Sequence, residues 1–164
     1  MKKFIRTLFI ILLIAFIVIQ FFKVEKNAGE EIAAHQITAV QNVPDEVQQI
    51  LNVSCYDCHS NVTQYPWYNR FQPVAWFLHD HVVEGKKELN FSEFGTYAVN
   101  RRYKKFKEIQ KQINEDEMPL FSYTLPHRDA VLSADQKATL VNWADNAMKV
   151  MEMQYPADSL VKPK

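Results

Sequence analysis

Cys55-Tyr56-Asp57-Cys58-His59 is the stretch from which the rest of the chain is read. Two thiols three residues apart fall on one side of a helical turn, where both reach the edge of one flat ring, and an imidazole follows directly. This C-x-x-C-H pattern is that of covalent c-type haem attachment: each cysteine sulfur forms a thioether with a haem vinyl group, and the histidine binds the iron. Three other readings compete. A redox dithiol needs a strand before the pair and a helix after it in a thioredoxin-like unit, and nothing here looks like that. A structural zinc site needs two further ligands, yet the chain has only two cysteines. His79 and His81 are the nearest histidine pair, but Pro73 to Glu84 reads as helix, where residues two apart point about 200° from each other. A structural disulfide would leave His59 without a role.

The 164 residues allow one domain with appendages, large enough to bury a core and a cofactor. Lys+Arg and Asp+Glu both number 19, so no global charge argues for nucleic acid. Aromatic residues make up 13% and only three glycines occur, which leaves few hairpin turns and favours helices.

Lys2, Lys3 and Arg6 precede a run from Leu8 to Phe22 that is apolar except for Gln20. About 15 residues at 1.5 Å each reach about 23 Å, short for a hydrocarbon core of about 30 Å, so length fits a signal peptide as well as an anchor. The run ends Gln20-Phe21-Phe22-Lys23-Val24, bulky where a cleavage site needs small residues, which favours an uncleaved transmembrane anchor over residues 1–22. Basic residues ahead of the run leave the N-terminus cytoplasmic and send the rest into the periplasm, where bacteria attach c-type haem. Residues 23–43 read as a polar linker, with His35 a solvated side chain in it.

Residues 44–155 read as the haem domain and 156–164 as a tail. Pro44, Asp45 and Glu46 suit a helix start, and Val47, Ile50, Leu51 and Ser54 mark the face that delivers the cysteines. After His59 comes a loop rich in rings, including Tyr65, Trp67, Tyr68 and Phe71, that either walls a haem crevice or fills a core. An iron-bound histidine donates its other N–H to a carbonyl, for which the loop near Pro66 or Pro73 offers candidates. Pro73 opens the next helix and Gly85 stops it. Val99, Tyr103, Phe106, Ile109 and Ile113 repeat at helical spacing, predicting a helix from about Tyr97 to Asn114. Its other face carries Arg101, Arg102, Lys104, Lys105, Lys107 and Lys111, read as solvated, with a docking patch or counter-charges for haem propionates as the functional alternatives. Pro119 breaks the chain after Met118, either a distal iron ligand on a stiff loop or a gap-filling side chain. Ser133 and Gln136 form a capping box, and Leu140, Trp143, Ala144, Ala147, Met148 and Met151 make the buried stripe of the helix that follows.

A short helix, Cys55-x-x-Cys58-His59, Met118-Pro119 and a final Leu-Ser-x-x-Gln helix together resemble class I cytochrome c domains. Asp57-Cys58-His59-Ser60-Asn61, Tyr65-Pro66-Trp67-Tyr68, Pro73-Val74-Ala75-Trp76, Leu89-Asn90-Phe91-Ser92 and Glu117-Met118-Pro119-Leu120 resemble the bacterial family of haem-binding domain proteins, over roughly Val43 to Tyr155. The resemblance implies a single covalent haem c on Cys55 and Cys58, with His59 as proximal ligand. The expected protein is an all-α, cytochrome c-like domain behind an N-terminal transmembrane helix, in the periplasm, passing single electrons to partner proteins rather than catalysing a reaction. Met118 is the expected distal ligand, with His127, His81 and His79 as competitors. The rival function is a haem peroxidase or a gas or redox sensor with an open or labile distal site, served by His79, His81, His127 or Arg128.

Overall fold

Helical periodicity over most of the chain produces an all-helical fold. The computed structural model describes residues 1–161. Seven α-helices lie among them: α1 (Lys2–Ile19), α2 (Asp45–Ser54), α3 (Tyr56–His59), α4 (Val74–Glu88), α5 (Val99–Asn114), α6 (Phe121–Thr124) and α7 (Ala134–Gln154), joined by short 3-10 turns. There are no strands among the described residues, only one isolated bridge between Ala28 and Val62.

The core forms where the apolar faces of α2, α5 and α7 meet. Val47, Ile50 and Leu51 come from α2, Phe106 and Ile113 from α5, and the whole predicted stripe from Leu140 to Met151 from α7. Phe106 sits at its centre, edge-on to Phe94 at 5.3 Å and to Trp143 at 5.4 Å between ring centroids. Trp143 spends its indole N–H on the carbonyl of Asn42, 3.0 Å away, so it packs in this core. The capping box at the start of α7 is formed from both sides, as Ser133 and Gln136 predicted.

Several expectations change. The linker assigned to residues 23–43 is part of the domain. Asn27 bonds the Ser60 carbonyl, the Thr63 hydroxyl and the Tyr65 hydroxyl, and Ile37 is 1% exposed in the core. One buried isoleucine among polar neighbours carries no periodicity, so the stretch reads as solvent-exposed until its partners are known. His35 lies 3.3 Å from the Glu93 carboxylate rather than free in solvent. The tail likewise returns to the core through Leu160, while residues 162–164 of that expected tail lie outside the described residues. Lys105, expected on a solvated face, is buried, with Nζ 2.6 Å from Glu108 and 3.5 Å from Glu88.

No helix among the described residues is long and apolar enough to cross a membrane. α1 is the apolar candidate, but Lys2, Lys3 and Arg6 occupy its first turns. Its uncharged part, Thr7–Ile19, is only about 20 Å long. The expected transmembrane helix is therefore corrected to a short apolar helix with no buried residue of its own.

Ile37→Ala separates a packed segment from a tether. Removing a buried isoleucine costs about 2–5 kcal/mol, so the variant should unfold at clearly lower denaturant concentration, whereas an unchanged midpoint would mean that residues 23–43 do not pack.

Candidate haem site

The Cys55–His59 motif occupies the corner between α2 and α4. α2 ends at Ser54, whose hydroxyl donates to the Ala130 carbonyl at 3.2 Å and so ties the end of the helix to the turn before α7. The chain then makes the single turn α3, in which the N–H groups of Cys58 and His59 both bond the Cys55 carbonyl. Directly after the motif, Phe91 N–H donates to the His59 carbonyl at 2.8 Å, and Asn61 N–H to the Ser92 hydroxyl at 2.9 Å. Asn90 bridges to the Asn61 side chain, so the exit from the motif is held by a buried polar knot.

The imidazole of His59 is oriented by α4. Its Nδ1 lies 2.9 Å from the Gly85 carbonyl and 2.9 Å from that of Leu89. Both partners are acceptors, so Nδ1 carries the proton and Nε2 holds the free lone pair that a metal requires. Burial holds the ring below the usual histidine pKa, against the two carbonyls that pull it upward, and the Lys105 cation pushes the same way as burial. The neutral, ligating form is thus favoured. The orienting carbonyls were expected near Pro66 or Pro73, but they come from Gly85 in the last turn of α4 and from Leu89 directly after it. That helix runs through Gly85 to Glu88, so Gly85 is not its stop signal. The residue is needed for close approach: a Cβ there would lie 2.8 Å from the Cys58 carbonyl oxygen and 3.1 Å from its Cβ.

Both cysteines are free thiols. Burial pushes Cys55 up to about 12 and Cys58 up to about 11, the latter helped by the Asp57 carboxylate. Redox-active Cys-x-x-Cys pairs need the opposite, a lowered pKa. Among the described residues no group of three or more His, Cys, Asp or Glu side chains could hold a bare metal ion.

Two adjoining cavities, of about 430 Å³ and about 400 Å³, open on His59. Cys55, His59, Glu88 and Met118 line both. Met118, expected as distal ligand, therefore lines the same space as His59. The three histidine competitors fall in different places. His81 lines the first of the two cavities; its Nδ1 donates to the Phe77 carbonyl at 2.7 Å and its ring lies against Phe77. His127 lines a neighbouring apolar cavity with Tyr68, its Nε2 2.6 Å from that hydroxyl and its ring stacked on Tyr123. His79 bonds the Glu25 carbonyl at 3.2 Å and lines none of these cavities. Arg128 is exposed and also lines none of the three.

Lys105 and Tyr123 were not singled out beforehand. Lys105 lines the second cavity beside His59, and Tyr123 lines the first, where its hydroxyl donates to Asp57 at 2.9 Å. The Asp57 in the middle of the motif was the available signal for a donor nearby. Nothing in a run of six basic residues marked one of them as buried.

Together these features fit a haem: paired thiols on one turn, a histidine in the ligating tautomer and an apolar space beyond it. Gly85→Ala tests the fit locally. Crowding the Cys58 backbone costs about 1–3 kcal/mol by the usual measure of overpacking, and the haem yield per chain should fall, whereas exposed Lys87→Ala nearby should leave the yield unchanged. Equal yields in both variants would remove the close approach as a requirement.

The family model described as a haem-binding domain matches residues 14–146. No curated protein and no solved structure matches the chain. The match covers most of the sequence, including α2, the Cys55–His59 motif, α4, Met118 and the first half of α7, and the chain belongs to the haem-binding domain family.

Proposed function

We propose that the protein is a membrane-attached, periplasmic c-type haem protein that passes single electrons, with Cys55 and Cys58 as the covalent attachment points, His59 as proximal ligand and Met118 as distal ligand. The observation that carries the reading is the pair formed by His59, its tautomer set by the Gly85 and Leu89 carbonyls, and Met118, facing the same two cavities. The bound haem supplies a one-electron couple near the range available to His/Met iron. The chain supplies the rest. His59 keeps a fixed ring plane, because two carbonyls hold its N–H. Met118 needs little movement to stay bound, since it sits on a loop closed by Pro119. The apolar walls of the two cavities would limit water at the group, and with His59 and Met118 both holding it no position would be left for a substrate. α1, apolar and without a buried residue of its own, is the membrane-attaching segment.

His81 favours a second reading, because it lines the first cavity with Nε2 free of the bond that Nδ1 makes. In a peroxidase or gas sensor it would be the polar group beside an open iron position.

Covalent attachment is read on a denaturing gel. Full-length chain made in a host that matures c-type cytochromes should keep peroxidase-type haem staining, and Cys55→Ala, Cys58→Ala should lose it; an unstained wild type, or full staining of the double variant, sinks the proposal. Distal ligation is read in the ferric spectrum. The wild type should show the methionine-sulfur charge-transfer band, and Met118→Ala should lose it and bind cyanide or carbon monoxide quickly. An unchanged spectrum rejects Met118, and fast gas binding by the wild type transfers the reading to the sensor or peroxidase.

A further inference from the structure

Among the basic residues of α5, Arg101, Lys104, Lys107 and Lys111 are exposed, whereas Lys105 is only 6% exposed. Its ammonium lies 2.6 Å from the Glu108 carboxylate and 3.5 Å from that of Glu88. Glu88 ends α4, between Gly85 and Leu89, whose carbonyls hold the His59 ring. All three ionic side chains line the second cavity together with His59 and Met118, and Glu88 lines the first as well. The ion group is therefore part of the wall of the space onto which both expected iron ligands open.

Stability does not account for a lysine here. Taking an ammonium out of water is costly, and an apolar side chain of similar length between α4 and α5 would carry no such cost. The rest of the wall already has apolar members, Leu51, Leu89, Ile109 and Leu140. What a charge adds is its field. At a solvated position water and salt screen that field, while at a buried one they screen it much less. Iron gains a positive charge on oxidation, so a nearby fixed cation disfavours the ferric state and a carboxylate favours it. Charge and burial around the site are among the means by which a protein tunes a haem.

We propose that Lys105, Glu88 and Glu108 form a fixed charge group that sets the reduction potential of the haem, Lys105 raising it and the two carboxylates lowering it. This rests on the reading of His59 as an iron ligand and holds whichever group binds the opposite side of the iron. None of the three is a ligand. They act through their charge alone, which lets the potential be adjusted with the ligand set unchanged.

The test is a potentiometric titration of the full-length haem-loaded chain, followed in its visible absorption bands. Lys105→Met should lower the midpoint potential. Glu88→Gln and Glu108→Gln should raise it, by a smaller shift because their side chains are 64% and 38% exposed against 8% for Lys105. Lys107→Met, an equal loss of charge at an exposed position two residues on, should leave the potential where it is. A merely structural role does not produce opposite signs, since a loosened cavity admits water and favours ferric iron in every variant. The two glutamate variants carry the test even where Lys105→Met gives no folded protein. Potentials in both of them at or below that of the wild type overturn the proposal, and so does a shift in Lys107→Met as large as that in Lys105→Met. Absence of the methionine-sulfur band from the wild type overturns Met118 and leaves these shifts readable, whereas a chain that takes up no haem overturns both readings.

Discussion

The two hydrogen bonds from His59 Nδ1 to the carbonyls of Gly85 and Leu89 are the constraint around which the site is arranged. Both carbonyls lie at the C-terminal end of α4, where the helix carries partial negative charge, and that of Gly85 already accepts the Leu89 N–H at 2.9 Å. The imidazole is thus a second partner for the Gly85 carbonyl, and the shared N–H fixes which ring nitrogen is free. The arrangement requires α3 to lie almost on the backbone of α4, and only a residue without a side chain permits that at position 85. It also requires the segment after α4 to turn back beneath the motif, which the Phe91 bond to the His59 carbonyl and the Asn61–Asn90 pair accomplish.

Charge is placed around the same cavity with equal economy. Lys105 is buried between Glu108 and Glu88 on the wall that also bears His59. A lone buried cation would be expensive, and pairing with two carboxylates is what makes the position tolerable. The carboxyl of Glu108 is held below its ordinary pKa by Lys105 and Lys104, although burial works against them. The two thiols lie at the other extreme, kept protonated by burial, the opposite of the lowered pKa that reversible redox exchange needs.

Much of this was legible because helices advertise themselves. The faces of α2, α5 and α7 repeat at helical spacing, the capping box marks the start of α7, and five residues name the cofactor. What stayed hidden has a common cause, namely that it depends on partners far away in sequence. Gly85 reads as a stop signal because glycine usually ends helices, whereas here it answers to Cys58, twenty-seven residues earlier. Ile37 has no periodic neighbours, so its burial appears only once the 33–39 turns dock beside Phe94 and Phe91. Lys105 belongs to a basic run, and only the turn of α5 toward Glu88 distinguishes it from Lys104.

The position of Met118 follows from how α5 ends. Asp116 adopts a φ of 58°, the left-handed region that a residue with a Cβ enters at a cost of about 1–2 kcal/mol. Its N–H bonds the Ile113 carbonyl, and the next N–H, of Glu117, reaches back to Gln112 at 3.0 Å. That is the pairing of a Schellman cap, built here on aspartate where glycine is usual. Met118 N–H shares the Gln112 carbonyl at 3.3 Å, so the methionine leaves the helix on a defined heading before Pro119 stiffens the chain. The Lys137–Asp116 ion pair ties this strained residue to α7. A thioether is a weak ligand, and its hold on iron depends on how little freedom its backbone has to lose. A cap fastened at both ends restricts that freedom, and the packing of Met118 against the core cluster restricts it further.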